Sequence, residues 1–478
     1  MHSANAVARV VGTMPVDTTM ETHALPQPFI TPASSEPWPS AARSWYGVTI
    51  FGLTVMTLFG NQFVVSLLIE PIKRDLALSD LQVALIVGTA AGFINALVSL
   101  PIGRYLVDRF SRKLIIGLGL LVLGVTSVWS GLAATAAMLL LARLASGVGG
   151  AGNGPATYSM LGDMFPASKL AKAVSVMNIG FMFGLGAAML LGATLIGALS
   201  SVPDITLPLV GTLRPWQFVF LVLAIPDLAL AFLMLATVTE PVRRGLRNAA
   251  ATTTQKIALM PLREVTGYFW KNRSAFGPLY LGLLCNCIAM GAAFWMAPFY
   301  SRTFGWSPQQ YGIIQGILTV ILAPAGLLFG GWLAERLAKR GVPDANLRVV
   351  FYGSLLHLPF AIGFALVPNP YLALVMSVLS TSLISIGTGP LNAAFQSIVP
   401  NEMRGQITAS FLFVFTVGAA IGPPFIGWLN DSVFADPGAV RYSLALTHAV
   451  FGPLAVFIFW KGLKPYAQAF ERARAWHG

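Results

Sequence analysis

The chain has 478 residues, of which 56% are hydrophobic and only 10% charged, with 31 Phe and a formal net charge of +12. Water-soluble domains carry about 25% charged residues, so that class is excluded and an integral membrane protein remains. The positive charge does not mark a nucleic-acid binder. Its carriers sit in short loops beside apolar runs, where topology and anionic headgroups account for them.

In chain order, residues 1–43 are polar and rich in Pro, Ser and Thr, and lack the basic start and apolar core of a signal peptide. They read as a disordered cytoplasmic tail. Twelve apolar runs follow, at 45–69, 80–103, 113–133, 137–162, 169–199, 215–239, 275–300, 307–334, 348–367, 371–395, 405–430 and 440–462. Each is long enough to cross about 30 Å of hydrocarbon. They far exceed the roughly ten residues of a barrel strand and show no alternation, so the spans are helices. The expected fold is an all-α membrane protein with twelve transmembrane helices in two pseudo-symmetric six-helix bundles, at 44–239 and 275–464. Residues 240–274 form a basic cytoplasmic linker carrying Arg243, Arg244, Arg247, Lys256, Arg263, Lys271 and Arg273. Within it, 261–269 is expected to lie as an amphipathic helix at the headgroups. Residues 465–478 are expected to be a cytoplasmic tail.

Twelve spans put both termini on one side. Of the 30 Lys and Arg, the loops of the opposite side hold only Lys73, Arg74, Arg214, Arg302 and Arg441, while Arg143 lies inside the membrane. The positive-inside rule therefore places both termini in the cytoplasm, with a cytoplasmic (inner) membrane as the expected location.

No nucleophile-base pair, HExxH, P-loop or nucleophile elbow is present, so the chain is not read as an enzyme, and no cofactor or metal site is expected. Cys285 and Cys287 stand two apart on one helix and point in different directions, which argues against a disulfide or a shared metal. The run Gly147-Val-Gly149-Gly-Ala-Gly152 matches GxGxxG, but no strand precedes it; inside a membrane helix such glycines let backbones approach.

Two charged loops, YLVDRFSRK at 105–113 and GWLAERLAKR at 331–340, each follow the second span of a six-span block. Repetition of that island at the same point of two apolar halves points to a transporter built by duplication, with halves that rock about a central site. Span four carries Arg143-Leu-Ala-Ser-Gly147-Val-Gly149. Spans five and eleven carry matching Gly180-xxx-Gly184 and Gly418-xxx-Gly422. With these motifs the chain resembles the major facilitator superfamily from Trp45 to about Tyr466. One departure is that Gly103 precedes Asp108 by five positions, whereas Gly331 precedes Glu335 by the usual four. The segments SLLIEPIKRDLALSDLQ at 66–82 and RPWQFVF at 214–220 are similar to the spinster-like branch, which includes sphingolipid and lysolipid exporters.

The resemblance implies an Asp-Arg pair in span one and a Glu in span four of proton-coupled relatives. Here those positions align with Asn61, Gln62 and Gly150, and amides cannot exchange protons near neutral pH. Arg143 remains. A guanidinium near mid-membrane costs about 2.5–3.5 kcal/mol on insertion scales, so it is expected to face a watery cavity or a partner. Its planar fork of donors suits a carboxylate, sulfate or phosphate; the alternative is a structural tie to carbonyls and amides such as Gln62. The remaining candidate cavity residues are Asn61, Gln62, Asn178, Asn286 and Gln315, with Gln396 as a further polar position. Each of them serves equally well as helix-to-helix glue. Trp295 and Phe299 supply an aromatic wall. Asp227, directly after Pro226, is the candidate proton site, and His357 is a weaker one.

At the inner face, Asp108, Arg109 and Arg112, with Glu335 and Arg336, are expected to form ion pairs that close the cytoplasmic side and break when the halves rock. The expected function is secondary transport of an amphipathic, anionic or lipid-like solute by alternating access. Alternatives are a receptor without turnover and, among transporters, a uniporter or exchanger. Partners are the solute and the bilayer; no nucleic acid is expected, and the chain is expected to act as a monomer.

Overall fold

The computed structural model describes residues 37–107, 109–199, 205–207, 211–243, 262–400 and 403–474. Ten helices among them are single apolar rods long enough to cross a membrane: Ala41–Asp75, Asp80–Ser99, Arg112–Gly131, Pro215–Thr237, Arg273–Phe304, Pro308–Lys339, Ala345–Leu366, Pro370–Ser397, Gln406–Phe434 and Pro437–Ala473. The fourth crossing is broken at Gly152 into Ala136–Ala151 and Asn153–Met164, and the fifth is Ala167–Leu199. Together they make the twelve-helix, all-α membrane fold expected from the hydropathy. Helix is forced on these runs because hydrocarbon offers no partner to an open backbone N–H or C=O.

The structure adds several features that the apolar pattern does not contain. A two-stranded hairpin pairs Ile205–Leu207 with Gly211–Leu213 between spans five and six. A short helix, Leu262–Lys271, occupies the stretch expected at the headgroups. The last helix runs on to Arg474, through most of the expected tail. Tyr466 is wholly buried there, its hydroxyl 2.8 Å from Ser397 Oγ.

Duplication is visible in the glycines. A Cβ on Gly180 would lie 2.1 Å from Gly52 O and one on Gly184 2.6 Å from Met56 O, so span five lies backbone to backbone on span one. In the second half Gly422 meets Ile288 O at 2.4 Å and Gly418 meets Cys287 Cβ at 2.6 Å, so span eleven lies on span seven in the same way. Gly147 and Gly149 of the GxGxxG run likewise abut Ala91 O and Gly119 O.

The packed interior has three parts. Away from the termini, one core draws on both halves, with Leu67, Ile72, Val83 and Trp216 from the first and Trp295, Tyr300, Ile426 and Leu444 from the second. Toward the termini it divides. One core there, around Phe51, Leu120, Met160 and Met234, belongs to the first half, and another, around Phe276, Leu347, Phe395 and Phe459, to the second. The halves are thus joined at the far end and separately packed at the end that carries the termini.

Candidate functional site

Arg143 sits on the fourth span, one turn before Gly147, where that helix presses on span two. Its side chain is only 8% exposed, and its Nε has no hydrogen-bond partner among the described residues. Leu58 of span one stands beside Gly150. At 1.5 Å per residue, Gln62 lies about 6 Å and Arg143 about 10 Å further toward the far end, so the two occupy similar depths. Gln62 is exposed, and no tie between it and the guanidinium forms.

Asn61 is engaged elsewhere: its Nδ2 donates to Asp227 Oδ2 at 2.6 Å, across 166 residues of sequence. Asp227 is fully buried, and its Oδ1 has no partner among the described residues. The structure therefore brings together two residues that the sequence proposed for different roles. Asn178 is exposed on span five. Asn286 donates to Ser354 Oγ at 3.3 Å, inside the second half. Gln315 donates to Thr319 Oγ1 at 3.2 Å and borders a niche of about 10 Å³. That is room for about one water and no solute. His357 is held through Nδ1 by Ser380, 2.8 Å from its Oγ, and lies 5.9 Å from the His448 ring.

Trp295 and Phe299 depart from the expectation of a cavity wall. Both are 0% exposed. Trp295 Nε1 donates to Pro423 O at 2.9 Å, while Phe299 packs edge-on against Tyr300, Phe304 and Phe364. An aromatic residue near a span's outer end satisfies a core or a cavity equally well on sequence grounds, and here the shared core takes it.

The expected inner-face pairs also need correction. Asp108 lies outside the described residues. Arg109 is exposed. Arg112 is a buried brace within the first half: its Nη1 meets Asp163 and Ser159, its Nε donates to Glu240 Oε1 at 2.8 Å and its Nη2 to Pro241 O at 3.1 Å. Glu335 pairs with Lys339 on its own helix at 2.6 Å, and Arg336 lies over Trp332 at 5.1 Å. The cores separate at this end, so these charges bind within their own halves. Burial raises the Glu240 carboxyl, but the bonds from Arg112, the Lys113 N–H and the Ser111 hydroxyl outweigh it and hold the group below its ordinary value.

Sequence reasoning missed the polar cluster that ties the halves at the far end. Arg302 reaches from span seven across to the first half, Nε to Glu70 Oε1 at 2.7 Å and both terminal nitrogens to Asp80, at 2.6 and 2.9 Å. Lys73 and Asn430 also donate to Asp80. Asp431 caps span two, accepting from Asp80 N at 3.1 Å and Leu81 N at 2.7 Å. One signal was available: Arg302 is among the few basic residues in loops otherwise almost free of them.

The model for the Major Facilitator Superfamily matches residues 50–465. The chain belongs to that superfamily. It is 27% identical over 409 residues to an MFS-type efflux pump of Mycolicibacterium smegmatis, covering 84% of this chain and 88% of the relative. It is 26% identical over 421 residues to Protein spinster homolog 3 of Danio rerio, covering 82% and 78%. A solved structure of a bacterial homolog to the human lysosomal transporter Spinster, inward-facing and unoccupied, superposes with a TM-score of 0.73 at 23% identity, covering 91% of this chain and 99% of that one. By that membership it is a multi-pass membrane transporter and not an enzyme, with spinster proteins among its relatives at 22–26% identity.

Proposed function

We propose that this secondary transporter carries an amphipathic organic anion, with Arg143 as the receptor for its charged head, and works by rocking its two halves. The observation that carries the reading is the buried guanidinium with an unpartnered Nε. A buried cation without a counter-ion is costly, and a carboxylate, sulfate or phosphate that brings two acceptor oxygens relieves that cost. The shared core at the far end and the separate cores toward the termini support a state closed on the far side and open toward the termini. With the termini cytoplasmic, as the Lys/Arg distribution favours, that state is inward-open.

The neutral Asn61 and Gln62 support facilitated diffusion or exchange. Proton coupling, if present, runs through Asp227, the buried carboxylate that Asn61 holds. The test is uptake into liposomes of amphipathic carboxylates, sulfates and phosphate monoesters chosen by thermal shift, since binding to the folded state raises its stability. Arg143→Ala is expected to abolish both the shift and the flux at unchanged folded yield, and Arg143→Lys to restore part of the binding. Unchanged uptake in Arg143→Ala retires the receptor reading; binding without any flux favours a receptor without turnover.

A further inference from the structure

The carbonyl of Ala420 lies one helical turn before Pro424, inside the helix Arg404–Trp428. Proline has no N–H, so the bond that residue 424 would return to that carbonyl is missing. In a membrane helix such a freed group must be met by a neighbour or by water. Here the neighbour comes from the other half: Thr89 Oγ1 donates to Ala420 O at 2.6 Å. Thr89 ends the π-helical segment Ala84–Thr89 of span two. Beside it, a Cβ on Gly88 would lie 3.1 Å from Pro423 and 3.2 Å from Phe294, so the helices are in close contact at this level. Further out lies the cluster of Glu70, Asp80, Arg302 and Asp431, with Asp80 itself fully buried.

We propose that the Thr89 hydroxyl and the carbonyl opened by Pro424 form a latch between the halves, made when the far side is closed and broken when it opens, with the Asp80–Arg302 cluster as its outer tier. The proposal rests on the alternating-access reading above. The inner tier depends on conformation because proline denies the carbonyl its partner within the helix, so the bond exists only while span two is alongside. When the far side opens, water reaches the carbonyl and replaces Thr89, so this tier biases the equilibrium by no more than one net hydrogen bond. The outer tier holds harder, since Arg302 bridges Glu70 and the buried Asp80 across the seam with charge-assisted bonds, while Lys73 and Asn430 keep Asp80 partly paired when Arg302 is lost.

The test is pulsed electron paramagnetic resonance on protein with Cys285 and Cys287 replaced by Ala and spin labels at Arg74→Cys and Tyr442→Cys, exposed far-end positions on opposite halves. Thr89→Val and Pro424→Ala are each expected to raise the ratio of far-open to far-closed molecules about threefold to tenfold, the range for one net hydrogen bond. Thr89→Ser is expected to match the wild type. Arg302→Gln is expected to raise the ratio by more than about tenfold, less than a full loss of charge compensation because Lys73 still pairs with Asp80. A shift in Arg302→Gln with none in Thr89→Val or Pro424→Ala overturns the latch alone. One invariant distance in every variant, Arg302→Gln included, overturns the alternating-access reading with it. Because Thr89→Val is nearly isosteric, the result does not depend on how well the proline variant folds.

Discussion

Replacing Arg112 by Met removes the guanidinium while keeping most of the apolar stem. The side chain is 1% exposed, and its partners Asp163 and Glu240 retain 14% and 29% side-chain exposure. Deleting one member of a buried pair typically costs about 3–5 kcal/mol. Two facts place the expected loss at the low end. Glu240 keeps the Ser111 hydroxyl at 2.7 Å and the Lys113 N–H at 2.8 Å, and both carboxylates can partly rehydrate. An expected loss of about 3 kcal/mol follows, with a fall of about 5 °C or more in apparent melting temperature. The two native cysteines are both buried, so a thiol-reactive dye reports unfolding of detergent-solubilised protein without any engineered label. Asp163→Asn placed in the Arg112→Met background is expected to recover part of the loss, since it removes a carboxylate that Arg112 no longer balances. An Arg112→Met protein that melts within a degree of wild type, or a cycle with no coupling between positions 112 and 163, refutes the brace.

Three further outcomes are expected. Glu240 is held below its ordinary value of 4.5, so its contribution is complete above that pH and is lost as pH falls through the depressed value; the wild-type advantage over Glu240→Gln, read as melting temperature against pH, should shrink on acidification below about 4.5. Asp227→Asn is expected to leave the fold intact, because Asn61 can still donate to the amide oxygen, and to remove any response of liposome flux to an imposed pH gradient; a gradient response that survives excludes coupling at this residue. Gly180→Val and Gly422→Val should each cost at least about 1–3 kcal/mol and lower folded yield, since their Cβ atoms would lie 2.1 and 2.4 Å from carbonyl oxygens of the neighbouring span. Wild-type yield and melting temperature from either would contradict the backbone contact.

The number of spans was legible because hydrocarbon leaves a helix no alternative, and the duplicated loops and glycines exposed the relation between the halves. Arg143 was legible for a similar reason, since a charge in an apolar run stands out. Pairings across the fold were not. Nothing local ties Asn61 to Asp227, or Arg302 to Glu70 across 232 residues. Trp295 and Phe299 were misplaced because hydrophobicity says that a side chain leaves water, without saying whether it faces a packed core or a solute. Arg112 was read as a gating charge because it belongs to the charged loop at 105–113; its burial depends on Asp163, from the helix Asn153–Met164, and on Glu240, from the segment that follows Pro215–Thr237.

The twelfth span has a mechanical consequence. Pro437–Ala473 contains 37 residues, about 55 Å of rigid rod against roughly 30 Å of hydrocarbon. Its overhang is anchored to the second half through Tyr466 and through Arg472, which reaches Asn272 at 3.4 Å. Under the proposed rocking about a central site, this rod is a pointer: a swing of the second half by about 10° carries its tip, roughly 28 Å from the centre, through about 5 Å. A fluorophore at the end of that rod would amplify displacements too small to follow at the seam itself.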